Sequence, residues 1–296
     1  DRYAATSRRF HGRLRAAVRG EVAIAAPSSS DLDLISGRAG WLVHFAASAG
    51  EEAEDRSLAG DLARSLSGYV RSVEHPLLGI PAGSGAAPEA GAADHCDTGL
   101  AHGSAGQLLA LSSALVHGVV DIEVRQGITR LVEAFLATAD HGDEVRRWPR
   151  ALSTTGEAMG AADFPAWCFG NIGIELALLR AGEAVGDDGL RRDAAASILQ
   201  HIERAFVRAE IKVADASVCH GVAGVIMMHE VILPYVDAIR WRDARQELDA
   251  RLDALIDPTA AFGFTTADRE GRRMSDPALL MGSGGALLVL AGDAVS

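Results

Sequence analysis

Gly103-Ser104-Ala105-Gly106-Gln107-Leu108-Leu109-Ala110-Leu111 sets two glycines three residues apart directly ahead of an apolar stretch. The same arrangement recurs at Gly37-Arg38-Ala39-Gly40, Gly170-Asn171-Ile172-Gly173, Gly221-Val222-Ala223-Gly224 and Gly282-Ser283-Gly284-Gly285. Successive first glycines stand 51 to 67 residues apart, which is room for two helices and two loops per unit. That spacing predicts repeated helical hairpins.

After each glycine pair the chain is apolar with little polar interruption, as in Leu108 to Leu115, Ile174 to Leu179, Val225 to Met228 and Ala286 to Leu290. Such helices are expected to be buried nearly all round. Between them, Asp121 to Thr138 and Leu190 to Val207 carry Arg, Glu and Asp at helical spacing, the pattern of solvent-facing helices. An inner ring and an outer ring of helices follow, an all-α, α/α-toroid architecture occupying residues 1–296 as a single domain. Glycine where an inner helix begins lets backbones approach closely and leaves N–H groups to point toward a central cavity. For any one copy, tight packing alone is a sufficient explanation. Gly/Ala/Pro-rich stretches at Gly79 to Asp97 and around Ser153 to Pro165 are expected to be loops over the site.

Composition supports this reading. Apolar residues make up 48% of the 296 residues and aromatics only 5%, with 32 glycines, which suits close-packed helices better than sheets. With 40 acidic against 28 basic residues the formal net charge is −12, and no Lys/Arg stripe offers a surface for nucleic acid. No apolar run is long enough for a spanning helix; the longest candidate, Val222 to Val236, is interrupted by His229, Glu230 and Pro234. The opening Asp1-Arg2-Tyr3 has neither an initiator Met nor a charged-then-apolar leader, so a processed or excised start and a cytoplasmic location are expected.

The three cysteines, Cys96, Cys168 and Cys219, cannot all pair with one another. Cys168 and Cys219 each stand two residues before their glycine pair, and His220 follows Cys219. All three are then expected to project from adjacent inner-helix entrances toward one cavity. Two thiolates and an imidazole suit zinc, and three protein ligands leave a fourth position for water or a substrate thiol. The plain alternative is two small buried hydrophobes beside a packed histidine. Cys96 lies outside the positional pattern and is expected not to be a ligand. His102 holds in its own repeat the place His220 holds in another, where an imidazole can move protons near neutral pH or simply pack in the core. Asp33, four residues before Gly37, can orient His102 or a substrate, or cap a helix. The entrance at Gly282, preceded by Leu280 and Met281, is expected to be purely structural.

Ala101-His102-Gly103, Trp167-Cys168-Phe169-Gly170 and Cys219-His220-Gly221, in this order on G-x-x-G repeats, resemble the lanthionine synthetase C-like family of lanthipeptide cyclases from Asp33 to Gly285. The resemblance implies an α/α toroid with Zn2+ at the mouth of its inner barrel, held by Cys168, Cys219 and His220, and an acid/base pair formed by His102 and Asp33. It implies as substrate a ribosomal precursor peptide, already dehydrated at Ser and Thr by a dehydratase enzyme or domain, whose cysteines add to the dehydroamino acids to give thioether rings. The family often carries Tyr after its first zinc cysteine and an Arg shortly before it; here Phe169 and the run Phe164-Pro165-Ala166 stand there, and Arg150 is a candidate to swing in from the loop. These departures leave room for a non-catalytic peptide- or thiol-binding module on the same fold. A different α/α-barrel enzyme, such as a glycosidase, would need paired carboxylates at the rim, and only Asp33 and Asp97 approach such positions.

Overall fold

The structure is a computed structural model and describes residues 2–22, 29–50, 52–78, 95–141, 145–161, 165–267 and 273–292. Most of the loop expected over Gly79 to Asp97, together with Phe164, lies outside the described residues. The chain divides into two compact units, residues 1–138 with 151–159 and 183–186, and residues 139–150 with 160–182 and 187–296.

The first unit opens with α1 (Arg2–Arg19), α2 (Ser29–Leu32), α3 (Arg38–Ser48) and α4 (Ala53–Ser72), continues through β1 (His95–Asp97), and adds α5 (Ser104–Val116) and α6 (Ile122–Thr138). α3 and α5 start immediately after the first glycine of their pairs. They pack on each other, and α4 packs on α6, so successive hairpins stack inner on inner and outer on outer. α5 buries nearly every side chain from Ser104 to Ala114, whereas α6 buries one stripe, Val124, Ile128, Leu131 and Phe135. This is the difference in polarity between the two sequence patterns expressed as burial.

α1 precedes the repeats and was not expected from them. It is docked by Val18, which is buried, and by a charged cluster around the fully buried Asp55 of α4. His11 Nε2 lies 2.8 Å from one Asp55 oxygen and Arg15 Nε donates to the other at 2.7 Å. Burial pushes the Asp55 carboxyl up, but its hydrogen bonds to His11, Ser48 and Arg15 outweigh this and hold it below the usual value.

The second unit contains β2 (Asp140–His141), β3 (Arg146–Arg147) and the start of β4 (Pro149–Ser153), followed by the end of β5 (Ala158–Ala161) and most of α7 (Asn171–Val185). α8 (Asp188–Ile202) comes next and passes without a break into a π-helical turn, Glu203–Val207. α9 (Val222–Ile232) and α10 (Ala238–Asp253) form the following hairpin. The short hairpin of β6 (Thr266–Ala267) and β7 (Arg273–Met274) leads into α11 (Ser283–Leu290), which packs on α9. α11 departs from the expected all-round burial: Ala286 and Val289 are covered, but Leu287, Leu288 and Leu290 are more than 40% exposed. Among the described residues no later helix follows to cover that face.

The segments read as loops also carry strands. In the first unit β1 pairs antiparallel with β4, His95 opposite Ser153, Cys96 opposite Leu152 and Asp97 opposite Ala151. Strands this short hold too few residues to show a period of two.

The repeated glycines have a steric cause. Gly37, Gly103, Gly221 and Gly282 precede their helices with φ between −126° and −103°, values any residue adopts. What they supply is space. A Cβ on Gly103, Gly221 or Gly282 would overlap the carbonyl six residues earlier, that of Asp97, Asp215 or Asp276. The second glycine rests in the same way on its own loop and also receives a side chain from the preceding repeat. Leu34 Cβ would be 3.1 Å from a Cβ on Gly106, Trp167 Cδ1 3.0 Å from one on Gly224, and Val218 Cγ2 2.5 Å from one on Gly285. The pairs at Gly103, Gly221 and Gly282 are therefore seats for their own loop and for the neighbouring repeat's. Among the described residues no helix is long and apolar enough to cross a membrane.

Candidate functional site

In the second unit the turns before α7 and α9 bring Cys168, Cys219 and His220 together. One donor atom from each lies within 4.8 Å of the other two. Cys168 is buried, whereas Cys219 and His220 are partly exposed, so the cluster has a closed floor and an accessible side. Two backbone clamps produce this convergence. Trp167 Nε1 donates to the Val218 carbonyl at 2.6 Å, tying the residue before Cys168 to the residue before Cys219. The Cys219 N–H donates to the Leu280 carbonyl at 2.8 Å, so the Gly282 entrance, expected to be only structural, steadies the site through its backbone.

The donor set fits a divalent ion. Zinc sits ~2.3 Å from thiolate sulfur and ~2.0–2.1 Å from imidazole nitrogen, so tetrahedral donors fall within roughly 4 Å of one another, close to the observed spread. The hydrogen bond with Cys219 and burial push the Cys168 thiol up, because two neighbouring thiols do not ionise together. His220 is pushed up to about 10 by its hydrogen bonds to Asp215 and Cys219. Asp215 lies 3.0 Å from His220 Nε2; burial raises its carboxyl, but the bonds to His220 and Ser217 dominate and lower it. A cation entering such a cluster displaces protons, so its affinity rises with pH.

Cys96 is not a member of this group. It is buried in β1, its Sγ 3.3 Å from the Leu78 carbonyl. None of the three cysteines forms a disulfide.

Arg150, at the start of β4, places its guanidinium 5.1 Å from the centroid of the Phe169 ring, and that ring lies 6.4 Å from the His220 imidazole. The Arg150 segment is positioned by a buried ion pair. Arg146 donates to both oxygens of Glu175, at 3.0 and 2.7 Å, and Glu175 is fully buried. Nearby, the Trp148 N–H donates to Asn171 Oδ1 at 3.0 Å. Burial pushes the Glu175 carboxyl up, with Arg146 opposing.

In the first unit His102 and Asp33 meet, His102 Nδ1 lying 2.5 Å from Asp33 Oδ2. The other carboxylate oxygen accepts the N–H groups of Ile35 and Ser36 at 2.6 and 2.7 Å. Asp33 is therefore both a turn former and the partner of His102. Nδ1 faces the carboxylate, and the His102 side chain is largely exposed. Asp97 contributes chiefly its carbonyl, beneath Gly103.

Burial raises the Asp33 carboxyl, but the bonds to His102, Ser36 and Ile35 win and lower it from 3.8. A lowered carboxylate stabilises the fold above its unfolded value and loses that contribution as pH falls through the folded value. Asp33→Asn is therefore expected to be less stable than the native chain near neutral pH by about 1 kcal/mol, the low end for a charged bond because His102 is exposed. The difference should shrink as pH falls below 3.8 and through the lowered folded value; equal urea midpoints for the two proteins at neutral pH would contradict it.

Of the residues that matter, sequence reasoning missed Trp167 as a clamp and Asp215 as the partner of His220. Asp215 had a signal: an Asp stands six residues before the first glycine in four repeats, at Asp31, Asp97, Asp215 and Asp276.

A sequence model of the family described as lanthionine synthetase C-like protein matches residues 15–292. Among solved structures, nisin cyclase is similar over 98% of this chain and 70% of its own, at 18% identity and a TM-score of 0.76. A D-mannose isomerase crystal structure is similar over 86% of this chain and 68% of its own, at 13% identity and a TM-score of 0.54. No curated protein matches. At these identities the structural likenesses speak to fold, and the likeness to nisin cyclase bears out the all-α, α/α-toroid expectation.

Proposed function

Because the chain belongs to the lanthionine synthetase C-like family, we propose that it is a zinc-dependent peptide cyclase, with residues 1–296 acting as one cyclase-like domain. Its substrate is a precursor peptide in which Ser and Thr have already become dehydroalanine and dehydrobutyrine. The observation that carries this reading is the convergence of Cys168, Cys219 and His220 within 4.8 Å, a donor set suited to a catalytic zinc with one open position.

Cys168, Cys219 and His220 would hold the ion. Bound zinc would lower the pKa of a substrate thiol so that the thiolate is present at neutral pH. The S–H bond and the alkene π bond break, a bond forms between sulfur and Cβ, and Cα takes a proton, so the peptide keeps its mass. Neither redox nor ATP is needed. His102 is assigned to move that proton, with Asp33 holding its Nδ1 and so fixing the ring. Arg150, stacked on Phe169, supports a substrate-positioning role in place of the Arg that the family often has nearer Cys168. The protein would act in the cytoplasm beside a dehydratase enzyme or domain.

The test is incubation with a dehydrated, cysteine-containing peptide. Free thiol should disappear at constant mass, and persistence of all thiols across a broad panel of peptides would overturn the reading. A second reading, a non-catalytic peptide- or thiol-binding module, draws on Phe169 standing where the family often has Tyr. Calorimetric binding of the peptide that survives loss of zinc and of His102, without turnover, would favour that module.

A further inference from the structure

We propose that Asp215 is a positioning residue for this centre: its Oδ2 holds Nε2 of His220 and leaves Nδ1 as the nitrogen that binds the cation. The inference rests on the zinc reading above and adds a residue and a tautomer to it.

The two carboxylate oxygens of Asp215 have separate tasks. Oδ1 accepts the Ser217 N–H at 2.6 Å, closing a turn, while Oδ2 lies 3.0 Å from His220 Nε2. The Asp215 backbone is itself anchored, since its carbonyl accepts the Val222 N–H at 2.9 Å and lies against Gly221. The carboxylate is thus fixed to the first turn of α9, the element that carries the ligand.

The last repeat separates the two tasks. Asp276 occupies the equivalent place, its Oδ1 accepting the Ala278 N–H at 2.9 Å and its carbonyl lying against Gly282. Met281, however, stands where His220 would be. Turn closure therefore accounts for an Asp at this position, and it does not account for the bond to the imidazole. A carboxylate on one ring nitrogen fixes tautomer and orientation, so the lone pair of the other is presented to a metal.

Zinc affinity, measured by competition with a chromophoric chelator at neutral pH, tests this on the native chain, Asp215→Asn and Asp276→Asn. Asn keeps a turn acceptor but removes the charge. Asp215→Asn is expected to bind zinc about 10- to 100-fold more weakly, Asp276→Asn as tightly as the native chain. Equal zinc affinity in folded Asp215→Asn overturns the inference alone; a native chain that binds no zinc overturns the zinc reading with it. Nitrogen-15 NMR of the zinc-loaded native chain is independent of any variant's folding. It should find a proton on His220 Nε2 and the metal on Nδ1, and the reverse assignment overturns the proposal.

Discussion

Cys219→Ala is expected to lose zinc and ring closure together, with the helical fold retained. Cys219 is partly exposed and its side chain is small, so its truncation opens little space. The backbone bond from Cys219 to Leu280 is indifferent to the side chain. What disappears is one of two sulfurs in a three-donor set. Cys168 and His220 alone leave a weak site. Without the ion, a peptide thiol near its ordinary pKa is mostly protonated at pH 7. A loss of about 4 kcal/mol of transition-state stabilisation corresponds to a rate reduced on the order of 10³-fold. Measured by thiol disappearance and by metal content on one sample, both should fall. Ring closure at the native rate by a zinc-free Cys219→Ala would contradict the mechanism.

The second large effect is on stability. Glu175→Ala removes the carboxylate that takes two hydrogen bonds from Arg146 and leaves a guanidinium whose side chain is only 16% exposed. Breaking one half of a buried pair costs about 3–5 kcal/mol, a Tm lowered by roughly 5–8 °C in a chain of this size. Replacing both partners, as Arg146→Met with Glu175→Leu, should recover most of the loss, because no charge is then stranded. Calorimetry on the single and double variants checks this. A double variant as unstable as Glu175→Ala would show that the pair is not the cause. The single variant should also loosen Trp148 and Arg150, since the same segment holds both.

The hairpin repeat was legible because its glycines answer a steric demand made once per repeat. Where α5, α9 and α11 start, two carbonyls of the helix's own loop come too close for a Cβ, and a side chain of the preceding repeat presses in. Cys168, Cys219 and His220 were legible for the same reason, since equal offsets from equivalent glycines place side chains at equivalent entrances. Features that occur once carried no such signal. α1 belongs to no repeat, and its docking depends on Asp55, one acidic residue among many. β1 and β4 hold three and five residues and sit within Gly- and Ala-rich sequence. The exposed side of α11 was invisible because an apolar stretch reads alike whether or not a neighbour covers it. Arg146 and Glu175 are ordinary charges in sequence, and only the buried position of Glu175 on α7 marks them as a pair.

The most direct measurement is the zinc content of the purified native chain by elemental analysis, with Cys168→Ala as the companion sample. One equivalent in the native protein and none in the variant is the predicted result. A native protein that stays zinc-free after dialysis against the metal, with Cys168 and Cys219 reduced, would contradict the account.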